Sequence, residues 1–177
     1  MNAMRRAALL VIFLCTSIAA GAQMVWVPYE NNPIWPPPEP GTWCDRGRWV
    51  TSMVLVDDTY HLFFNGVSGQ LTMDGWAIGH ATSTDGIHWE MDPANPVLTP
   101  ETEGSWQVRS LLSAAVCHDG ELFNMWYGGD DYSVSKVGYA TSPDGTTWTR
   151  HPANPVFAGE SFFDLCLSLE RPGMMEK

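Results

Sequence analysis

From residue 48 onward the chain alternates short apolar runs with polar, turn-forming clusters. Residues 48–58 (RWVTSMVLVDD), 59–66 (TYHLFFNG), 75–83 (GWAIGHATS) and 87–91 (IHWEM) are each rich in β-branched or aromatic residues and bounded by Gly, Asp or Asn. Short runs bounded in this way predict strands, and no sustained helical stripe follows residue 23. The same order returns in residues 111–120 (LLSAAVCHDG), 121–129 (ELFNMWYGG), 135–142 (SKVGYATS) and 146–150 (TTWTR). Asp57-Asp58, Asp85-Gly86, Asp119-Gly120 and Asp144-Gly145 supply the tight turns of antiparallel hairpins.

The recurrence is close. Residues 81–98 (ATSTDGIHWEMDPANPVL) and 140–157 (ATSPDGTTWTRHPANPVF) lie 59 positions apart and agree at 11 of 18 positions. A repeat of about 40 to 60 residues indicates a solenoid, a propeller or an array. A repeated four-stranded meander that hides its faces against identical neighbours is a propeller blade. The expected fold is therefore an all-β β-propeller of four-stranded antiparallel blades. Blade one covers about 44–92, blade two about 107–151, and a third starts at about 164–177. The linkers 31–43, 94–106 and 153–163 each begin with Asn-Pro and an aliphatic residue and lead through an aromatic into the next innermost strand.

Asp85 and Asp144 are expected to accept amide hydrogens within their turns, with Gly86 and Gly145 at positive φ and Trp89 and Trp148 covering the hairpin. These aspartates read as turn-formers. His61 and His80 fall on strands away from the axis and read as structural. Asp74, Asp130 and Asp131 fall in loops between second and third strands and read as solvated.

The N-terminus changes the picture of the mature protein. Arg5 and Arg6, an apolar run and Ala20-Gly21-Ala22 read as a cleavable signal peptide over residues 1–22. Its apolar stretch is short of the roughly 20 residues of a membrane span. A secreted or periplasmic protein with no membrane span after cleavage is expected. Cleavage leaves 7 basic against 20 acidic residues, a net charge of −13. That sign disfavours nucleic acid as a partner. Cys44, Cys117 and Cys166 remain, an odd number that leaves at least one free thiol. They fit no zinc pattern and read as small buried residues. No spacing of EF-hand type surrounds Asp74, Asp130 or Asp131, and no metal and no cofactor are expected.

The segments YHLFFNG and FNMWYGG, then IGHATSTDGIHW and VGYATSPDGTTW, then NPV, resemble the blades of five-bladed β-propeller glycosidases. That group comprises glycoside hydrolase families 32, 43, 62 and 68 and the related family 130 of mannoside phosphorylases and hydrolases. The resemblance covers nearly all of residues 30–177. It implies a carbohydrate partner and a central funnel with acids at or just before successive innermost strands. Glycoside cleavage needs two carboxyl groups about 5–10 Å apart, and the candidates are Asp45, Asp164 and Glu170. The family pattern implies an Asp-Pro or similar pair where each innermost strand opens. Thr51-Ser52, Ser113-Ala114 and Arg171-Pro172 stand there, and the segment WQVRSLLSAAV of blade two holds no acid.

Arg46 and Arg109 each follow a leading tryptophan, Trp43 or Trp106, by three residues. With Arg171 they are candidates for binding a carboxylate, a phosphate or sugar hydroxyls, the alternative being a structural arginine on loop carbonyls. Trp43 and Trp106, like Trp35 and Trp76, are candidates for stacking on a pyranose face, while most of the nine tryptophans are expected to pack between blades. Two readings stand: an exported glycosidase, or a carbohydrate-binding or structural propeller that has lost its acids. Two blades leave open faces and unpaired edges. The remaining blades are thus expected to be missing from this chain, and the chain to be inactive alone.

Overall fold

A computed structural model describes residues 26–158 apart from 36, 70, 71, 103 and 134. The expected signal segment and the expected start of a third blade, with Asp164, Cys166, Glu170 and Arg171, lie outside the described residues. The chain divides into the units Met1–Asn32 and Pro33–Lys177. In the first, a turn brings the Asn32 amide to the Tyr29 carbonyl at 3.2 Å.

The second unit carries the strands. Blade one is a meander of β1 (Gly47–Val56), β2 (Thr59–Val67), β3 (Ala77–Ser83) and β4 (Glu90–Met91), hydrogen-bonded in that order. Blade two repeats it with β5 (Ser110–His118), β6 (Phe123–Asp130), β7 (Lys136–Ser142) and β8 (Thr149–Arg150). All neighbours are antiparallel. Asp57 and Asp58 take φ of 47° and 62° between β1 and β2, the left-handed pair that matches strand twist in a two-residue hairpin.

The outermost position differs from the expected single strand. Residues 87–89 and 146–148 remain in the turns, so β4 and β8 shrink to two residues each. The linkers then rejoin the sheet: Leu98 bridges Ile78, and β9 (Phe157–Ala158) pairs with Lys136 and Val137 of β7. An asparagine fills each gap. Asn95 accepts the His80 amide at 2.8 Å and donates to the His80 carbonyl at 2.7 Å. Asn154 treats Tyr139 identically, at 2.9 and 3.0 Å. A side-chain amide can satisfy a donor and an acceptor of one residue at once, which accounts for the Asn of the Asn-Pro repeat.

The Asp-Gly turns are as expected. The Asp85 carboxylate takes the amides of Ile87 and His88, both at 2.8 Å, and Asp144 takes those of Thr146 and Thr147 at 2.8 and 2.7 Å. Gly86 and Gly145 have φ of 73° and 78°. Trp148 donates its indole N–H to the Gly145 carbonyl at 2.9 Å, but its ring also lies edge-on to Phe63, 5.8 Å away in blade one. It covers the neighbouring blade as well as its own hairpin.

Both faces of β2 are buried because its alternate residues serve different cores. Phe63 joins Ile78, Leu111, Phe123, Met125 and Tyr127 in the core shared by the blades. Leu62 and Phe64 turn the other way, to Cys44 and the half-buried Trp35, Trp43 and Trp89. Cys44 is buried as expected, whereas Cys117 is exposed on β5, and both are free thiols. Alternation places Cys117 on the solvent side of its strand, a choice that residue type does not reveal.

Candidate functional site

The innermost strands β1 and β5 enter the sheets at the same end as the β2–β3 and β6–β7 connections. The sequence repeat is followed there in the backbone: Arg46 donates its amide to the Val67 carbonyl at 3.1 Å, and Arg109 donates to that of Asp130 at 3.0 Å. The two guanidinium groups then diverge. Arg46 is exposed and its Nε donates to the Gly69 carbonyl at 2.6 Å, within its own blade. Arg109 donates from Nε to Asp74 of blade one at 2.6 Å and lies 3.6 Å from Asp130 of blade two. Its guanidinium also sits 4.9 Å from the centre of the Tyr132 ring.

Arg109 thus spans two blades and two carboxylates. The Asp74 hydrogen bond leads the effects that raise its pKa above the ordinary value, against some loss of hydration. Asp130 corrects the solvated reading: it is 6% exposed at the end of β6. Its Oδ1 accepts the amide of Tyr132 at 3.2 Å, where φ is 73°. A bulky residue at such a φ is uncommon, and Arg109 holds the ring over it. Asp131 accepts the amide and hydroxyl of Ser133 and lies 3.5 Å from Lys136, hydrogen bonds and charge that hold its carboxyl below the ordinary value.

Behind this rim both innermost strands are irregular. Their pairing slips between Val50 and Ser52 in β1 and between Leu112 and Ala115 in β5. Bulges of this kind re-aim side chains beside active sites. Thr51 turns its hydroxyl back to the Phe63 carbonyl at 3.1 Å. Ser113 is exposed with φ of 50°.

Two polar contacts tie the bulged strands across the blades. Ser52 accepts the Val116 amide at 3.1 Å and donates to its carbonyl at 3.3 Å. Asn65, wholly buried on β2, accepts the Ser113 amide at 3.0 Å and donates to the Leu111 carbonyl at 2.9 Å. Sequence reasoning passed over Asn65. The available signal was a lone carboxamide inside the apolar run LFFNG, where the second blade has Gly128.

Asp45 lies just before β1 and is half-buried. Its Oδ2 accepts the Gly41 amide at 3.0 Å, while its buried Oδ1 finds no hydrogen-bond donor among the described residues. Trp43 and Trp106 are half-buried and lie over glycines of the second strands. A Cβ on Gly66 would fall 2.6 Å from the Trp43 ring, and one on Gly129 would fall 2.8 Å from that of Trp106. The rings also stack on Phe64 and Tyr127, with centres 5.6 and 6.2 Å apart. Trp76 is 2% exposed, with the exposed Trp49 ring centred 4.1 Å away. Among the described residues no group of three or more His, Cys, Asp or Glu is placed to hold a metal, and no helix is long and apolar enough to cross a membrane. Chemically, Arg109 brings a cation held by two carboxylates, Asp74 and Asp130, beside the exposed phenol ring of Tyr132.

Known proteins show the same blades. Residues 50–163 match the model of the glycosyl hydrolases family 32 N-terminal domain. An uncharacterised protein of Mycobacterium tuberculosis strain CDC 1551 is 30% identical over 142 residues, 75% of this chain and 46% of its own. The insoluble β-fructofuranosidase isoenzyme CWINV5 of Arabidopsis thaliana is 30% identical over 114 residues, 58% of this chain and 19% of its own. A solved structure from work on family 130, in which mannoside phosphorylases are joined by hydrolases targeting β-1,2 mannosidic linkages in Candida mannan, superposes with a TM-score of 0.59 at 20% identity. That overlap spans 70% of this chain and 39% of the other. The chain spans under half the length of the curated relatives it matches. It is a partial β-propeller whose two described blades belong to the glycosyl hydrolase family 32 N-terminal domain family.

Proposed function

We propose that this chain is the N-terminal part of an exported glycosidase-like protein that acts on an oligo- or polysaccharide in a propeller funnel. The observation that carries the reading is the family match over residues 50–163, within which both innermost strands carry a bulge. In this reading two of the three candidates Asp45, Asp164 and Glu170 supply the carboxyl groups. One protonates the leaving glycosidic oxygen, and the other acts as base or nucleophile at the anomeric carbon. Arg109, held by Asp74 and Asp130, orients sugar hydroxyls, Arg46 is its counterpart in blade one, and Arg171, aligned with Thr51 and Ser113, is a further candidate. Residues 1–22 direct export, and further blades complete the funnel. The length of the relatives supports this last element.

A second reading, a carbohydrate-binding propeller without catalysis, is favoured by Thr51 and Ser113, which put hydroxyls and no acid at the two bulges. The test is to express the chain alone and extended by its downstream reading frame, and to assay aryl glycosides and β-1,2-mannosides with and without phosphate. Turnover by the extended form only supports the first reading. Oligosaccharide binding without turnover by either form supports the second, and neither binding nor turnover overturns both.

A further inference from the structure

At the opposite end of the blades, three titratable side chains form a chain of contacts that the proposed chemistry does not use. Asp92, just after β4, takes the Thr146 hydroxyl of blade two at 2.5 Å, and its Oδ2 lies 3.0 Å from Nδ1 of His80. Nε2 of His80 lies 3.0 Å from Nδ1 of His61. The side chain of His80 is 3% exposed. The His61 ring is centred 4.8 Å from that of Phe123 in blade two, so the chain ends on the blade interface. The turn of Gly145 closes over it, leaving 3.3 Å between an added Cβ and Nε2 of His80.

The proton positions follow from the partners. A carboxylate only accepts, so Asp92 fixes the proton of His80 on Nδ1. Nε2 of neutral His80 then accepts, and Nδ1 of His61 must donate. One added proton is accommodated: it sits on Nε2 of His80, and His61 changes tautomer to accept it. A second added proton puts N–H groups on both nitrogens at 3.0 Å, two donors and two positive charges face to face.

We propose that Asp92, His80 and His61 form a proton-counting fastener between the two blades, which holds with no or one added proton and parts with two. Its surroundings are mixed. His61 lines a cleft of about 340 Å3 with Asp57 of the β1–β2 turn, His118 of β5, Glu121 and Asp144. Burial, then the charges of His80 and His118, lower the pKa of His61 from its ordinary value. Burial opposes ionised Asp92, but the hydrogen bonds of Thr146 and His80 prevail and hold its pKa low. Carboxylates around the cleft thus do not offset the two imidazoles and the loss of water.

The sign follows. A histidine whose folded pKa lies below its unfolded value binds fewer protons when folded, so its stabilisation is complete above about pH 6.5 and is lost as the pH falls below that.

The test compares the full chain with His61→Asn, whose amide N–H replaces the Nδ1 donor and does not titrate. Between about pH 7.5 and 5.5 the wild type is expected to lose more in Tm than the variant. Equal losses overturn the proposal. Should the variant not fold, imidazole NMR of the wild type decides. One proton shared by the pair, with the His61 and Phe123 rings separating on uptake of the second, supports the fastener. Independent titration of the two histidines, with the rings still together, overturns it.

Discussion

The carboxamide of Asn65 in blade one holds the backbone of Ser113 in blade two, accepting its amide at 3.0 Å while donating to the Leu111 carbonyl at 2.9 Å. A single wholly buried side chain therefore braces the bulge at which Ser113 is exposed. Asn65→Leu removes both partners and leaves the part-buried Ser113 amide and the buried Leu111 carbonyl without them. The expected loss is about 2–4 kcal/mol, read as a lower urea midpoint, and an unchanged midpoint would show that the bulge stands without it.

Gly66 and Gly129 are predicted to be intolerant of alanine for the same reason in each blade. The added methyl meets the Trp43 ring and Cys44 at 2.6 Å, or the Trp106 ring and Gln107 at 2.8 Å. Overpacking of this kind costs about 1–3 kcal/mol, and Tm values of the two variants should fall together. A fall in one alone would mean that the blades differ in rigidity.

Arg109→Lys is predicted to leave Tm within about 3 °C of wild type, because the Asp74 pair is half exposed and such pairs contribute little. It should weaken oligosaccharide binding to the extended protein by about tenfold, since an ammonium cannot reproduce the planar fork between two carboxylates. Isothermal titration calorimetry of the pair of proteins checks this, and equal affinities would remove Arg109 from the binding rim.

Acid is predicted to act in a second window below that of the histidines. The amides of Leu122 and Glu121, then Asn124, lower the Asp119 pKa to about 2. The His88 side chain, followed by turn amides, holds Asp85 below the ordinary carboxylate range. For Asp144, burial opposes ionisation but the amides of Thr147 and Thr146 outweigh it. Depressed carboxyls bind fewer protons folded than unfolded, so this stabilisation is present above about pH 4 and is lost as the pH falls through the folded values. Asp144→Asn keeps an acceptor oxygen for both amides and should flatten the decline of Tm between about pH 4 and 2. An unchanged slope would assign acid loss to other carboxyls.

The blades and their turns were legible because their causes are local. Alternating apolar runs specify strands whatever surrounds them, and Asp-Gly between such runs specifies a hairpin through its own amides. The repeat spaced by 59 residues revealed the neighbouring blade as well. The Asn of the Asn-Pro repeat was visible as a match, but its purpose needed the register that brings its carboxamide to the amides of His80 and Tyr139 at the break in the outer strand.

The site was decided elsewhere. Arg46 and Arg109 occupy equivalent places in the repeat, yet one meets a carbonyl and the other two carboxylates, because Asp74 reaches Arg109 from the preceding blade. The burial of Asp130, the aim of Ser113 and the meeting of His61 with Phe123 likewise depend on one blade lying against the next. Local pattern by itself determined which residues form a blade, since strand and turn preferences act over a few bonds. Only the tertiary structure decided which polar groups share a site, since contacts between blades join residues tens of positions apart.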